Sequence, residues 1–524
     1  MDDVEISGDF EIHLTVSDMD AGALAGFAEE HGLKLLHIVL DRGSQPSQPM
    51  LTIVGSGTLD RQRGAAERWA EKLTAAKLRV SRVKIEAAPW NDGVPTTDAE
   101  AAEQPPVCTH KFGDRAPRYF EHHIKLLLPD GDVERVVALT DLVSPLGARP
   151  SRNARRKRAD GREERFLTQR CAKVGLETAR GRLEQLESTL LNAGYEILAI
   201  EQEYVVHDDN LNLDDGWFTP VRDWRDPREG ERRESAVAGK PGFPTTFQPL
   251  ALSGVRQRAV FDPALKQFGN AFRHGEPEFA DEETGVRWRQ ARGRARDALL
   301  TLIADSEWSE SLVLRGSVTM RSWIGDAARE PGDIDFVVLP FSRSIRSYES
   351  VAMIDGIIAA TGRSDVRVED IWTYERADGR RIVVPFEADG VLPGSVQVDF
   401  VFNEALPIPP EPLHLPSIDR IMLAATPGLS LAWKLLWLAT DTYPQGKDLY
   451  DAVLLAEHTT APPLAMVADL MRPELKHHAD EFGAESVLAW TVDWANFRDE
   501  YLQIDGDGSE WLRRLAIALD RAWR

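Results

Sequence analysis

The sequence has few cysteines, no long apolar run and no excess of basic residues. Cys108 and Cys171 are the only cysteines among 524 residues, which is too few for a disulfide-stapled fold and is typical of a reducing compartment. No uninterrupted apolar stretch reaches the roughly 18 residues of a membrane-spanning helix. The acidic N-terminus lacks the basic and apolar segments of a secretory signal peptide. We therefore expect a cytoplasmic protein with no membrane segment.

The formal net charge of −23 excludes nucleic-acid binding through the overall field of the protein. An RNA substrate would need a local basic surface. The segment RPSRNARRKR, which begins with Arg149 and ends with Arg158, is such a surface in a predicted loop or hairpin tip. It either contacts RNA phosphates or the acidic face of a partner, or it is simply a solvated loop. The sequence leaves both interpretations open.

A chain of 524 residues is too long for one hydrophobic core, so we expect several domains of an α+β protein. Composition and apolar periodicity predict the following segments: a first ferredoxin-like unit (1–90), a linker (91–117), a second ferredoxin-like unit (118–207), an irregular connector (208–282), an α/β core (283–410) and a helical C-terminal domain (411–524).

The two ferredoxin-like units are predicted from an internal repeat. FEIHLTV, starting at Phe10, is echoed by FEHHIKL, starting at Phe120. Each copy continues with an amphipathic helix and a strand. The resulting order, strand–helix–strand–strand–helix–strand, is typical of a ferredoxin-like unit, and its duplication fills the N-terminal half.

Two histidines and two glutamates occupy equal positions in the repeat: His13 matches His123, and Glu86 matches Glu203. In one interpretation these four side chains share a sheet face and form a ligand or phosphate site. In the other they are polar groups that face solvent on half-buried strands. The sequence does not decide between the two.

The stretch 312–339, LVLRGSVTMRSWIGDAAREPGDIDFVVL, carries the strongest chemical signal. An apolar run ends at Gly316-Ser317, and a second apolar run follows directly after Asp333-Ile334-Asp335. This pattern predicts strand, turn, short helix, turn, strand. Because side chains alternate along a strand, Asp333 and Asp335 should lie on the same face.

Adjacent carboxylates repel each other unless a cation lies between them, and Mg²⁺ or Mn²⁺ with a triphosphate suits such a pair. The Gly316-Ser317 turn allows close backbone approach and supplies a hydroxyl for phosphate. Asp399 lies in the alternating segment SVQVDFVF. A neighbouring strand would bring it beside Asp333 and Asp335, where it could ligate the metal or accept the proton of an attacking hydroxyl.

Apolar periodicity predicts helices through most of the C-terminal part, including residues 418–423 and 430–440. Lys434 lies close to the buried stripe of the second of these helices, so it either extends to solvent or points into a cleft. Asp448 begins the next helix and can cap it. Asp451 lies one turn further on and can pair with Lys447 or Lys434.

Taken together, these motifs resemble a known family. Gly-Ser, a spacer, Asp-x-Asp and a later strand aspartate are similar to the pattern of polymerase-β-like nucleotidyltransferases. LAWKL, which contains Lys434, and GKDLYD, which starts at Gly446, resemble the later motifs of the AbiEii/AbiGii-type toxin branch. The resemblance covers about residues 285–460. Two positions differ: Arg329-Glu330-Pro331-Gly332 stands where the branch has Arg-x-Ser, and Gly316-Ser317 where it has Gly-Gly.

The resemblance implies a nucleotidyltransferase core that moves an NMP from an NTP to an acceptor and requires Mg²⁺ or Mn²⁺. It assigns the metal to Asp333, Asp335 and Asp399. The implied nucleotide-binding residues are Gly316, Ser317, Lys434 and Lys447. The implied catalytic residues are the same three aspartates with Lys434 and Asp448, and Asp451 is the alternative to Asp448.

The biological role implied by the resemblance is that of a toxin or phage-defence enzyme acting on RNA such as tRNA, with a cognate antitoxin as partner. Two alternatives stay open. The acceptor is a protein or a small molecule, which suits the acidic surface, or the chain is a non-catalytic nucleotide sensor or scaffold. The presence of all three acids and Lys434 argues against the last of these.

Overall fold

The computed structural model describes residues 5–40, 45, 47–107, 117–129, 133–153, 162–214, 255–256, 277–374, 377–441 and 444–524. Cys108 and most of the predicted connector lie outside these residues. The chain divides into two compact units, Met1–Arg222 and Asp223–Arg524. Among the described residues, no helix combines the length and apolar character that crossing a bilayer requires.

The first unit is a closed barrel with helices on its outside. Its elements are β1 (Ser7–Val16), α1 (Ala21–His31), β2 (Lys34–Leu40), β3 (Ser47–Thr58), α2 (Leu59–Ala75), β4 (Val80–Ala87), α3 (Asp98–Ala102), β5 (Tyr119–Pro129), α4 (Val133–Val143), β6 (Ala148–Asn153), β7 (Arg162–Ala172), α5 (Leu176–Asn192) and β8 (Glu196–Asp208). The strand order around the barrel is β1-β3-β2-β6-β7-β5-β8-β4. Each half contributes four consecutive strands of this order, and antiparallel pairs β2–β6 and β4–β8 join the halves.

Alternation along β1 shows why the barrel interior is polar. Phe10, Ile12 and Leu14 are fully buried in a core with residues of α1 and α2. His13, between them, points the other way and contacts Thr52 of β3. The helices therefore cover an apolar outer surface, and polar side chains are left inside. The sequence did not reveal this closure. It places inside the barrel a face that the sequence left open as either a ligand site or a solvent-facing surface.

The second unit is an open sheet with helices on both faces. Its elements are β9 (Val255–Arg256), β10 (Glu278–Phe279), α6 (Glu282–Ala304), β11 (Leu312–Arg315), α7 (Ser317–Ile324), β12 (Ile334–Val338), α8 (Tyr348–Ala360), β13 (Arg367–Tyr374), β14 (Ala377–Ala388), β15 (Val391–Val401), β16 (Glu411–Leu415), β17 (Arg420–Ala424), α9 (Pro427–Thr440), α10 (Gly446–His458), α11 (Leu464–Leu475), α12 (Trp494–Glu500) and α13 (Gly508–Trp523). The sheet has the order β13-β14-β15-β12-β11-β17-β16. The strand–helix–strand prediction for 312–339 is confirmed.

The two faces of this sheet bury different residues. Phe336 and Phe400 pack in a core that includes residues of α6 and α8. Val313 and Val337 pack on the other face, against Trp433 of α9. Since side chains alternate, residues of odd number in β11 and β12 lie on the α9 face.

One predicted helix is wrong. Residues 418–423 were expected to be helical, but β17 (Arg420–Ala424) is a strand that pairs with β16 and β11. Met422 and Ala424 are buried whereas Ile421 is exposed, which is the two-residue period of a strand. A short apolar run fits either period when it is read alone. The sheet thus extends into residues that the sequence assigned to the helical region.

Candidate metal centre and adjoining cleft

Four charged residues form a row across the centre of the sheet. Arg315 lies opposite Asp335, Asp335 opposite Asp399, and Asp399 opposite Arg381. The row therefore runs through β11, β12, β15 and β14 in the order cation, anion, anion, cation. Alternation places Asp335 on the face occupied by α9, because its neighbours Ile334 and Phe336 lie in the core on the opposite face.

Three carboxylates converge at this row. Asp333 directly precedes β12, and it offers an oxygen that lies within 4.8 Å of oxygens from Asp335 and Asp399. Burial, then the charges of Asp333 and Asp399, raise the pKa of Asp335 to about 8, although Arg315 and Lys434 oppose this. A cation among these oxygens would relieve the repulsion. The three aspartates predicted to share a metal are thus brought together, and their oxygen donors suit a hard divalent ion.

Arg381 fixes the third carboxylate. Its Nε and Nη2 each donate to one oxygen of Asp399 at 2.7 Å, and both side chains are buried. Burial raises the pKa of Asp399, and the Arg381 guanidinium opposes that shift. The sequence analysis missed Arg381, because a cross-strand partner can be found only when the pairing of β14 with β15 is known.

Gly316 allows the close approach that the turn requires. Its φ of +77° lies in the left-handed region, and a Cβ at this position would lie 2.4 Å from Oδ2 of Asp335. No other residue fits here without moving that carboxylate. Ser317 begins α7 and is buried. Thr319 Oγ1 donates to the Gly316 carbonyl at 2.7 Å, which holds the turn.

Lys434 is the centre of a buried ionic network on the helices. Its Nζ donates to Oδ1 of Asp448 at 2.6 Å and lies 3.2 Å from Oδ2 of Asp451. Burial lowers the pKa of Lys434, but Asp448 and Asp451 outweigh it and raise the pKa overall. Burial likewise opposes ionisation of Asp448, and Lys434 nevertheless holds its pKa below the usual value. Asp448 therefore pairs with Lys434 instead of capping α10.

Arg329 completes the network and was also missed. Its Nε and Nη2 donate to Asp451 at 3.0 and 2.9 Å, and Asp451 is fully buried. Both acids that the sequence left as alternatives thus contact Lys434, and Asp451 additionally holds Arg329. Arg329 begins the segment that stands in place of Arg-x-Ser, so the motif comparison contained a signal for it.

A cleft of about 800 Å³ opens beside Asp333 and Lys447 within the second unit. The predicted residues Gly316, Ser317, Asp335, Asp399, Lys434 and Asp448 are not among those that line it. The charged lining is five basic side chains, Arg289, Arg292, Arg296, Arg329 and Lys447, and six acidic ones, Glu278, Glu282, Glu330, Asp333, Asp493 and Glu500. The cleft is therefore close to neutral, and it is large enough for a nucleotide.

The predicted basic segment is only partly described. Residues 149–153 belong to the strand β6 (Ala148–Asn153) and not to the predicted loop or hairpin tip. Residues 149–152 pair with β7. Residues 154–158, which contain most of its positive charge, lie outside the described residues. The RNA-contact interpretation of this segment stays a prediction.

A strand–glycine–helix turn beside three converging carboxylates is an arrangement that can hold a divalent metal next to a phosphate. Residues 297–521 match the family model described as nucleotidyl transferase AbiEii toxin, type IV TA system. Residues 297–521 are therefore an AbiEii-type nucleotidyltransferase toxin domain, and this family supports a nucleotidyltransferase enzyme. An NTP substrate and an antitoxin partner are implied for such toxins in general.

Other comparisons add little. No curated protein matches the chain. Among solved structures, the small subunit of acetolactate synthase from Thermotoga maritima is similar over 38% of this chain and 94% of its own, with 16% identity and a TM-score of 0.16. So low a score carries no argument about fold or function.

Proposed function

We propose that the protein is a magnesium-dependent nucleotidyltransferase that moves an NMP from an NTP to a hydroxyl of an RNA such as tRNA, as a toxin or defence enzyme. The observation that carries the proposal is the convergence of Asp333, Asp335 and Asp399 within 4.8 Å. It occurs beside Gly316 in a domain of a nucleotidyltransferase family. A cytoplasmic location, expected from the few cysteines, stays a prediction.

Each predicted residue has a role in this proposal. Mg²⁺ or Mn²⁺ held by the three aspartates would supply the charge that a triphosphate and a developing alkoxide need. Gly316 and Ser317 bind the phosphate tail at the start of α7. Lys434, whose positive charge lowers the pKa of Asp335, stabilises negative charge on the nucleotide, and Asp448 holds Lys434 in place.

Lys447 and Asp399 act on the two substrates. Lys447 is half-buried in the cleft wall, where its ammonium meets the nucleotide phosphates. Asp399 completes the metal site or accepts the proton of the attacking hydroxyl. Burial raises its pKa, which suits a proton acceptor, and Arg381 fixes the direction of both oxygens.

A protein or small-molecule acceptor is the second candidate. The cleft lining carries as much acid as base, and the net charge is −23. Neither property attracts a polyanion. The RNA proposal therefore depends on a local contact such as the segment from Arg149 to Arg158.

The deciding experiment incubates the purified protein with each α-labelled NTP and Mg²⁺, together with tRNA, total RNA, or a cell extract free of nucleic acid. We expect label in the RNA, and no label with the Asp335→Asn variant. Label only in protein or small molecules would reject the RNA acceptor. Label nowhere, with any NTP and with Mg²⁺ or Mn²⁺, would reject the enzymatic proposal.

We also propose that each half of the barrel is a ferredoxin-like unit. The predicted domains 1–90, 118–207, 283–410 and 411–524 stay a proposal, in which β16 and β17 of the last domain complete the sheet of the domain before it. Supporting the first proposal, each half has the element order βαββαβ and contributes four consecutive strands to the barrel. Limited proteolysis followed by mass spectrometry would test the boundaries.

A further inference from the structure

The barrel interior of the first unit contains a histidine in each repeat that is oriented in the same way. Nδ1 of His13 lies 3.1 Å from the hydroxyl of Thr52, and Nδ1 of His123 lies 3.1 Å from the hydroxyl of Thr168. A ring held at Nδ1 presents its Nε2 in a fixed direction. This is how proteins orient an imidazole that binds a metal.

Both Nε2 atoms point at carboxylates. Nε2 of His13 lies 2.7 Å from Oε2 of Glu86. Nε2 of His123 lies 3.6 Å from Glu203 and 3.3 Å from Glu121. Glu86 and Glu203 are the equivalent residues of the two repeats, so the internal symmetry brings two histidines and two glutamates to one place inside the barrel.

Three of these side chains have metal-ligand spacing. Glu86, His123 and Glu203 each offer an atom within 4.8 Å of the other two. Glu86 is 2% exposed, and its Oε1 lies 2.5 Å from Nζ of Lys84. Burial and the neighbouring Glu86 carboxylate raise the pKa of Glu203 well above its usual value. A shared proton or a cation stabilises two carboxylates that lie this close together.

The charges of the interior network do not cancel. Its carboxylates are the buried Glu86, Glu121, Asp208 and Asp214 and the half-buried Glu203, and its cations are Arg82, Lys84 and Arg170. Five negative charges against three positive ones leave two negative charges when the histidines are neutral. A single divalent ion would balance this set.

Lys84 competes for the same place. Its Nζ lies 2.5 Å from Oε1 of Glu86 and 2.7 Å from Oε1 of Glu121. An ammonium so close to Glu86 weakens the binding of any cation there. Because Arg170 also donates to Glu121, that glutamate keeps a cationic partner when Lys84 is replaced.

We propose that Glu86, His123 and Glu203 form a second metal site that binds a divalent transition ion of the Zn²⁺ type, with His13 orienting Glu86. Imidazole nitrogen with carboxylate oxygen is a common ligand set for Zn²⁺, whereas the three aspartates of the second unit offer oxygen alone. The site is independent of nucleotidyl transfer.

The test uses the full-length chain carrying Asp335→Asn, so that the aspartate site is disabled. Metal-free protein is titrated with Zn²⁺ by calorimetry, and with Co²⁺ by visible absorption to detect nitrogen ligation. We expect one ion per chain, binding lost in His123→Gln and Glu203→Gln, and binding weakened about tenfold in Thr168→Val. Lys84→Met should tighten binding. His414→Gln changes an exposed histidine and is the matched control.

Circular dichroism and thermal unfolding of each variant show whether it is folded. Absence of Zn²⁺ binding in the folded Asp335→Asn protein would overturn the proposal, and so would equal binding in folded His123→Gln. In the first case the glutamates share a proton, and in the second the ion binds at other residues. A result in which Lys84→Met leaves the affinity unchanged would also contradict it, because Lys84 would then not face the ion.

Discussion

Asp335 of the second unit and Asp214 of the first both lie among other charged groups, but their pKa values shift in opposite directions. Asp335 lies beside two other aspartates, and its pKa is raised to about 8. In the barrel, Asp214 accepts hydrogen bonds from Arg82 and Arg170. Burial opposes ionisation there too, but the two arginines lower the pKa of Asp214 far below its usual value. Two arginines within hydrogen-bonding distance outweigh burial at Asp214, whereas neighbouring carboxylates add to the effect of burial at Asp335.

This difference separates structural acids from reactive ones. A matched carboxylate such as Asp214 stabilises its unit at neutral pH and needs no ligand. The ionised form of Asp335, whose pKa is raised by burial and by Asp333 and Asp399, costs stability, which a bound cation would restore. Carboxylates whose pKa is raised by burial and by neighbouring charges are concentrated at functional sites. The predictions below test the contrast, beginning with the largest expected effect.

Replacing Asp335 should abolish the reaction while leaving the fold intact. We expect Asp335→Asn to lower nucleotidyl transfer about 1000-fold or more, since a ligand for the triphosphate's metal is lost. The rate of label transfer measures this. Asp305→Asn removes an exposed acid paired with Arg420 and should retain full activity. Comparable rates of label transfer for the two variants would show that Asp335 has no special role in the reaction.

Removing Arg381 should increase the excess of negative charge around Asp399. Arg381→Met leaves Asp399 buried without its bidentate partner, and we expect a loss of about 3 kcal/mol in the free energy of unfolding. Urea denaturation in the absence of metal provides the value. Arg420→Met breaks a similar pair at the surface, where solvent screens the charges, and should change stability little. Equal losses in the two variants would mean that burial of the ion pair does not determine its contribution to the free energy of unfolding.

Substitution at Gly316 tests the geometry of the site. Gly316→Ala places a Cβ where Oδ2 of Asp335 lies, and we expect activity to fall about 100-fold through displacement of that carboxylate. Gly325→Ala is the matched control, because Gly325 also has a positive φ of +70° but nothing lies within 4 Å of its Cβ position. A similar drop in both variants would point to backbone strain alone.

The stability of the metal-free protein should depend on pH through Asp335. Its folded-state pKa of about 8 exceeds the unfolded value of about 4, so the folded state holds an extra proton between these limits. The contribution of Asp335 to the free energy of unfolding is therefore fully present below about pH 4. It declines up to pH 8, by on the order of 1 kcal/mol per pH unit. Thermal unfolding across this range measures the slope. It should be shallower in Asp335→Asn and with Mg²⁺ present; identical slopes would contradict the shift.

Alternation along a strand made much of the site readable from sequence. It placed Asp333 and Asp335 on one face and Asp399 on a neighbouring strand, and the structure brings all three together. Arg315 and Arg381 were not found, because their importance comes from cross-strand register. That register depends on contacts between distant parts of the chain, and no local pattern encodes it.

The same limit explains the larger errors. The repeat predicted the element order of each half, but the pairing of β2 with β6 and of β4 with β8 closes the barrel, and neither pair is visible in one repeat alone. The segment 420–424 is short and mostly apolar, so only its pairing with β16 distinguishes a strand from a helix. Local periodicity therefore predicted elements better than it predicted their neighbours.

Closure of the barrel also determines where another polypeptide could extend a sheet. In the described part of the first unit every strand is hydrogen-bonded on both sides. None of these strands therefore has an unpaired edge to which a strand of another polypeptide could bind. The seven-stranded sheet ends at β13 and β16, and unpaired strand edges accept an additional strand from a second chain. Apart from the two-residue pair β9–β10, the described strand edges to which another chain could add a strand therefore lie in the nucleotidyltransferase half of the molecule.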